Sequence, residues 1–259
     1  MLVYSLGGAY MKDKEFFKEV LDTFENEDLK DFCDKCLDTI PAYFWTVPAS
    51  SSKKYHGAAY VTEGGLARHT LALCRIMNHL FSIDCVKNQY TSRECDLLRI
   101  AGLMHDTRKS GSQEDYEKNK YTKFDHPLLA SNEIARVWND YSGKKMSIEE
   151  VKLIRSVIES HMGQWNTDRR HPDVVLPTPQ DKYQIIVHIC DYLASRKDIE
   201  VKFNDETKAE LPDINTWVLP FGKHKGQTLI EIQDEDPGYI EWAKSNANSE
   251  PFRSLVMQL

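Results

Sequence analysis

Leu97-Leu98-Arg99-Ile100-Ala101-Gly102-Leu103-Met104-His105-Asp106 is the stretch on which the fold turns. Leu97, Leu98, Ala101 and Met104 recur at helical spacing, and the stripe ends on His105 with Asp106 directly after it. A buried carboxylate loses several kcal/mol of hydration unless it is paired, protonated or bound to a cation. The same interruption of an apolar stripe occurs three more times. His69 shares a helical face with Leu66, Leu73, Ile76, Met77 and Leu80, and His161 completes the stripe Val151, Ile154, Val157, Ile158. Asp191 follows the apolar run Ile185-Ile186-Val187-His188-Ile189-Cys190. One histidine on an apolar face is usually a hydrogen-bonded core residue. Four helices that each turn a polar group inward are explained together by a shared cation. Mixed imidazole and carboxylate ligation favours zinc, manganese or iron over calcium.

Working outward, residues 14–40 read as one or two amphipathic helices closed by Pro41, and 42–65 as a loop. Helical periodicity spans 66–83 and 96–105 and is expected again near 127–141, 148–161 and 180–197. Ser147 and Glu150 form a capping-box pair. The polar interval 107–122 reads as an exposed loop. Near residue 211 the pattern changes. Thr216-Trp217-Val218-Leu219-Pro220-Phe221 is aromatic and β-branched, and Gly222-Lys223-His224-Lys225-Gly226 is a turn. Thr228–Ile232 returns as a strand or begins a helix, and Asp236-Pro237 opens a helix through Trp242. The expected fold is mainly α: a helical bundle over 1–210 and a small C-terminal α+β module, hairpin plus helix, over 211–259.

The 259 residues are 41% hydrophobic and 28% charged, ample for a buried core, and the net charge of −7 excludes a whole-chain basic field. Any contact with nucleic acid is therefore local. The opening Met1-Leu2-Val3-Tyr4-Ser5-Leu6-Gly7-Gly8 lacks the basic region and length of an export signal, and no run approaches the ~20 apolar residues of a membrane span. Six cysteines in a chain this long outline no disulfide framework, so a cytoplasmic location is expected. Cys33-x-x-Cys36 has no second ligand pair, and both thiols share a stripe with Leu29, Phe32, Leu37 and Ile40; packing is the expected role.

Gly64-Gly65-Leu66-Ala67-Arg68-His69-Thr70 and Leu103-Met104-His105-Asp106-Thr107-Arg108-Lys109 resemble the two opening motifs of HD-domain phosphohydrolases. Lys123-Phe124-Asp125-His126-Pro127, Glu159-Ser160-His161-Met162-Gly163-Gln164 and Ile189-Cys190-Asp191 resemble the later ones, in order, over residues 45–200. The resemblance implies an all-α fold with His69, His105, Asp106 and Asp191 holding one metal. In members with two metals, histidines like His126 and His161 hold the second and the aspartate matching Asp106 bridges. His161-Met162 stands where many of those members have two histidines, a departure at the second site, and Met162 is expected to pack. The implied cofactor is one or two divalent transition metal ions: Mn, Fe, Ni, Co or Zn. Lys109, three residues after Asp106, is placed to neutralise a phosphate oxygen as charge builds, so Asp106 and Lys109 are the catalytic candidates. The chemistry implied is attack of a metal-bound hydroxide on phosphorus.

Among HD branches the chain is most similar to the 3′–5′ exoribonuclease type, through its Gly-Gly-Leu…His opening and its Ser-His-x-Gly-Gln motif. Leu219–Thr228 with Tyr239-Ile240-Glu241-Trp242 resembles the small C-terminal module of exodeoxyribonuclease X-like proteins. Lys223, His224 and Lys225 are candidates to grip a phosphate backbone, with Trp217 or Phe221 as a stacking face. Lys54, His56 and Arg196 complete the candidate substrate contacts. The expected substrate is a nucleotide or single-stranded nucleic acid, cleaved as by a phosphodiesterase or exonuclease. A 5′-nucleotidase and a catalytically silent nucleic-acid or nucleotide binder are the alternatives.

Overall fold

The computed structural model describes residues 13–50, 57–141, 145–196, 212–247 and 251–259. Two compact units divide the chain, Met1–Val201 and Lys202–Leu259, and each is described by itself.

In the first unit the N-terminal amphipathic stretch is broken in two. A 3₁₀ turn, Lys14–Phe17, runs into α1 (Lys18–Leu21), and Asn26 then caps α2 (Glu27–Leu37) by accepting from the Leu29 amide at 3.0 Å. α3 (Gly65–Phe81) follows the Gly-Gly pair for a steric reason: a β-carbon on Gly65 would lie 2.0 Å from the Tyr60 carbonyl oxygen. After α4 (Asp84–Lys87), α5 (Ser92–Met104) starts at a capping box of Thr91 and Glu94. The polar interval 107–122 is not all loop. It contains α6 (Gln113–Lys118), set by a capping box of Ser112 and Asp115, and this helix buries no residue. A six-residue helix with Tyr116 as its one large apolar group has no apolar periodicity to announce it.

α7 (His126–Asp140), α8 (Ile148–Ser160) and α9 (Lys182–Ala194) complete the bundle, and the Ser147–Glu150 capping box is formed. α3 packs on α5 and α9, while α8 packs on α5, α7 and α9. Their apolar stripes meet in a core of Leu66, Leu73, Met77, Leu98, Leu103, Met104, Ile134, Ile154 and Val187, all fully buried. Cys33 and Cys36 are buried in α2, and burial pushes both thiols well above their ordinary range, which suits packing and opposes metal ligation.

The second unit corrects the expected hairpin. Among the described residues it contains no strand, only an isolated antiparallel bridge between Val218 and Thr228. Around it the Leu219 amide donates to the Gln227 carbonyl and the Gly226 amide to the Leu219 carbonyl, both at 2.8 Å. The returning strand is cut short because Thr228 forms a capping box with Glu231 and starts α10 (Leu229–Glu235). Asp236 and Pro237 then open α11 (Pro237–Asn246), and α12 (Phe252–Val256) closes a core of Leu219, Leu229, Ile232, Ile240, Phe252, Leu255 and Val256. The module is thus helical. Among the described residues, no helix is long and apolar enough to cross a membrane.

Candidate metal centre

Three helix termini of the bundle carry a buried histidine. His105 follows the last turn of α5, His161 follows that of α8, and His126 is the first residue of α7. Each ring places Nδ1 at 2.7 Å from the carbonyl oxygen three residues earlier, that of Gly102, Ile158 and Lys123 respectively. A carbonyl only accepts, so Nδ1 carries the hydrogen and the neutral ring presents its lone pair at Nε2. Burial holds the His126 imidazole below its ordinary range, against the pull of Asp106.

These Nε2 atoms face carboxylate oxygens. His126 Nε2 lies 3.0 Å and His161 Nε2 3.6 Å from Asp106 Oδ1. His105 Nε2 lies 3.4 Å from Asp106 Oδ2 and 3.7 Å from Asp191 Oδ1. Among the described residues, His105 Nε2, His126 Nε2 and Asp106 Oδ1 are buried without a hydrogen bond. Lone pairs turned on lone pairs in a dry interior repel each other, and a cation between them converts that repulsion into ligation. His69 adds a fourth imidazole, with Nε2 2.8 Å from Asp191 Oδ1 and 4.0 Å from Asp106 Oδ2.

The donor atoms form three overlapping groups whose members all lie within 4.8 Å of one another: His69, His105, Asp106; His105, His161, Asp191; and Asp106, His126, His161. Nitrogen and carboxylate donors in this number fit a divalent transition metal. Burial opposes ionisation of Asp106, but the Lys109 ammonium beside it outweighs that and holds the carboxyl well below its usual range. Burial likewise opposes ionisation of Asp191, and its hydrogen bond with His69 outweighs that and holds it low. Lys109 Nζ lies 2.5 Å from Asp106 Oδ2. The turn carrying Lys109 is pinned by Tyr43, whose hydroxyl donates to the Gly111 carbonyl at 2.8 Å and accepts from the Ser110 amide at 3.0 Å. Burial pushes the Tyr43 hydroxyl up to about 12, so it remains a donor. Asp191 and Lys109, with 19% and 18% of their side chains exposed, are the members of the cluster that solvent reaches.

A further histidine supports the cluster from outside. His188 on α9 places Nδ1 2.7 Å from the His161 carbonyl oxygen. Gly163, at φ 56°, lies against this ring, and a β-carbon there would come 2.2 Å from His188 Cε1. Gly163→Ala is therefore expected to destabilise the protein by about 2 kcal/mol, through left-handed strain and overpacking, read as a lowered midpoint in urea unfolding.

The remaining sequence candidates fall in both units and outside the described residues. Lys54 and His56 lie outside the described residues. Arg196 places its guanidinium carbon 4.0 Å from the centroid of the Tyr192 ring. Lys223 is paired with Asp236 at 2.8 Å and Lys225 is exposed; both belong to the second unit. His224 is buried between Gln227 and Asp236, where it holds the turn together rather than facing outward. Trp217 stacks on Phe252 in that unit's core, and Phe221 meets the same ring edge-on while staying 41% exposed. His188, Trp165 and Tyr192 are neighbours of the centre that the stripe reading did not single out. Their only signal in the sequence is proximity to His161 and Asp191.

A helical bundle with histidine and aspartate side chains converging in its interior defines the class: a bundle built to hold a metal ion. Residues 66–196 match the HD domain family, about half the chain, and the protein belongs to that family. With its buried His/Asp cluster intact, it is a metal-dependent phosphohydrolase of the HD type. Residues 219–248 match the exodeoxyribonuclease X-like C-terminal family. Neither the curated proteins nor the solved structures returned a match.

Proposed function

We propose that the chain hydrolyses phosphodiester bonds of nucleotides or single-stranded nucleic acid, in the manner of an exonuclease. The observation that carries this reading is the set of buried imidazole lone pairs directed at Asp106 and Asp191. His69, His105, Asp106 and Asp191 would hold one divalent ion, and Asp106, His126 and His161 a second. When bound, such an ion neutralises phosphoryl oxygens and makes water acidic enough to attack phosphorus near neutral pH.

The chain's own residues supply the rest. The backbone carbonyls of Gly102, Ile158 and Lys123 fix each imidazole in the Nδ1–H tautomer and in a single orientation. Lys109 holds the Asp106 carboxylate ionised and is positioned to donate to a phosphate oxygen as negative charge grows on it. The C-terminal match to a module of exodeoxyribonuclease X-like proteins supports a polynucleotide substrate over a mononucleotide. Protein reconstituted separately with Mn²⁺, Ni²⁺, Co²⁺ or Fe²⁺ is expected to shorten a labelled single-stranded oligonucleotide stepwise. Release of free phosphate from nucleoside monophosphates without oligonucleotide shortening would replace this reading with a nucleotidase. No turnover of either class with any of the four metals would remove both.

A further inference from the structure

Trp165 is a large aromatic side chain left 45% exposed four residues beyond His161. It belongs to the 3₁₀ turn Gly163–Trp165, which starts directly after the His161-Met162 pair, and its amide donates to the Met162 carbonyl at 3.1 Å. The segment that follows is fixed: Asn166 Nδ2 donates to the Leu176 carbonyl at 3.1 Å, the Leu176 amide returns to the Asn166 carbonyl at 2.9 Å, and Thr167 bridges Val175. The indole lies nearly parallel to the ring of Tyr192, with centroids 5.7 Å apart and planes at 13°. Tyr192 is the residue next to Asp191, so the stack joins the two chain segments that present His161 and Asp191. His188, bonded to the His161 carbonyl, places its ring 6.5 Å from that of Tyr192, one turn earlier on the same face of α9. The Arg196 guanidinium lies over Tyr192, and among the described residues its buried Nε has no hydrogen-bond partner.

A tryptophan stacked on a tyrosine and still 45% exposed presents apolar area that ordinary surface positions avoid. Its stack on Tyr192, which Arg196 in turn covers, limits its motion, so little side-chain entropy is lost when a flat ring lies on it. Tyr192 directly follows Asp191 in α9 and Trp165 lies four residues past His161, so the stack is tied to both segments that carry the metal-ligand candidates. In a nucleotide the flat ring is the base, and bases stack on aromatic side chains without regard to sequence.

We infer that Trp165, backed by Tyr192 and Arg196, is the platform on which the base next to the reacting phosphate stacks. This deepens the proposed function and rests on it: it makes the preferred substrate a base-bearing phosphoester and gives the site tolerance for all four bases. Trp165 and Tyr192 are binding residues here and take no part in the bond changes at phosphorus.

The test compares binding of adenosine 5′-phosphorothioate and base-free ribose 5-phosphorothioate to the Mn²⁺-loaded protein, by calorimetry, with turnover of bis(4-nitrophenyl) phosphate followed in parallel. Wild type is expected to prefer the base-bearing probe. In Trp165→Ala that preference falls roughly tenfold, as expected for loss of one base-stacking contact, while affinity for the base-free probe is unchanged. Trp165→Leu, which keeps apolar bulk and guards against a folding defect, loses the preference equally, and Trp165→Phe keeps most of it. Preference retained in both the Ala and Leu variants, or absent from wild type, overturns the platform. Either result leaves the metal-dependent hydrolysis standing if the nitrophenyl ester is still turned over. Loss of that turnover in metal-loaded wild type would instead defeat the functional reading itself.

Discussion

Asp106→Asn is expected to lower turnover of any phosphodiester by roughly a thousandfold or more and to lower the metal content of the purified protein. Asparagine preserves the shape of the side chain and one oxygen but removes the charge. That charge is the common neighbour of His69, His105, His126, His161 and Lys109, at 4.0, 3.4, 3.0, 3.6 and 2.5 Å. Without it, two of the three donor groups lose their anionic member. Lys109 is then left with no carboxylate to pair with at that position, and its ammonium adds a positive charge that further repels a metal ion. Elemental analysis of the variant reads the metal, and circular dichroism checks the fold. A second readout is thermal: saturating metal at about 100 times its Kd stabilises wild type by about 2.7 kcal/mol, and the variant should show little of that rise. Full turnover in an Asp106→Asn protein of normal fold would remove the metal centre from the mechanism.

Asp96→Ala is expected to cost about 3–5 kcal/mol of folding stability, the largest loss we anticipate from a single residue away from the metal centre. Asp96 is fully buried on α5. Its Oδ1 accepts from Arg99 at 2.7 Å, and its Oδ2 accepts from the backbone amides of Glu25 and Asn26 at 3.1 and 2.9 Å. The carboxylate thus ties the break between α1 and α2 to the central helix. Burial raises its pKa, outweighing the backbone bonds and Arg99, so the charge is held at a cost. Truncation strands two amides and leaves the Arg99 guanidinium, 8% exposed, with Asn78 as its remaining hydrogen-bond partner at 2.8 Å and the Phe81 ring at 5.5 Å. The melting midpoint should fall by roughly 10 °C. Asp96→Leu combined with Arg99→Met should recover much of the loss, because neither desolvated charge then remains. A double variant no more stable than Asp96→Ala would place the stabilisation in the two backbone bonds instead.

The main helices of the bundle were legible in the residues alone, because helical periodicity is a local property carried by positions three and four apart. The sequence also marked the side chains that interrupt those stripes, since an imidazole or carboxylate among leucines and isoleucines stands out without reference to any distant residue. α6 escaped because a helix of six residues with one aromatic, Tyr116, shows no apolar period, and the hairpin was expected because Trp217, Val218 and Phe221 favour strands. In that module the capping box at Thr228 overrides strand propensity and packing on Phe252 absorbs Trp217, and packing of that kind is not local. The resemblance already implied that His69, His105, Asp106, His126, His161 and Asp191 converge; their distances, which of them solvent reaches, and the stacking of Trp165 on Tyr192 come from the packed helices alone. Those facts depend on how one helix packs against another, and residues separated by up to 122 positions come together only when the core closes.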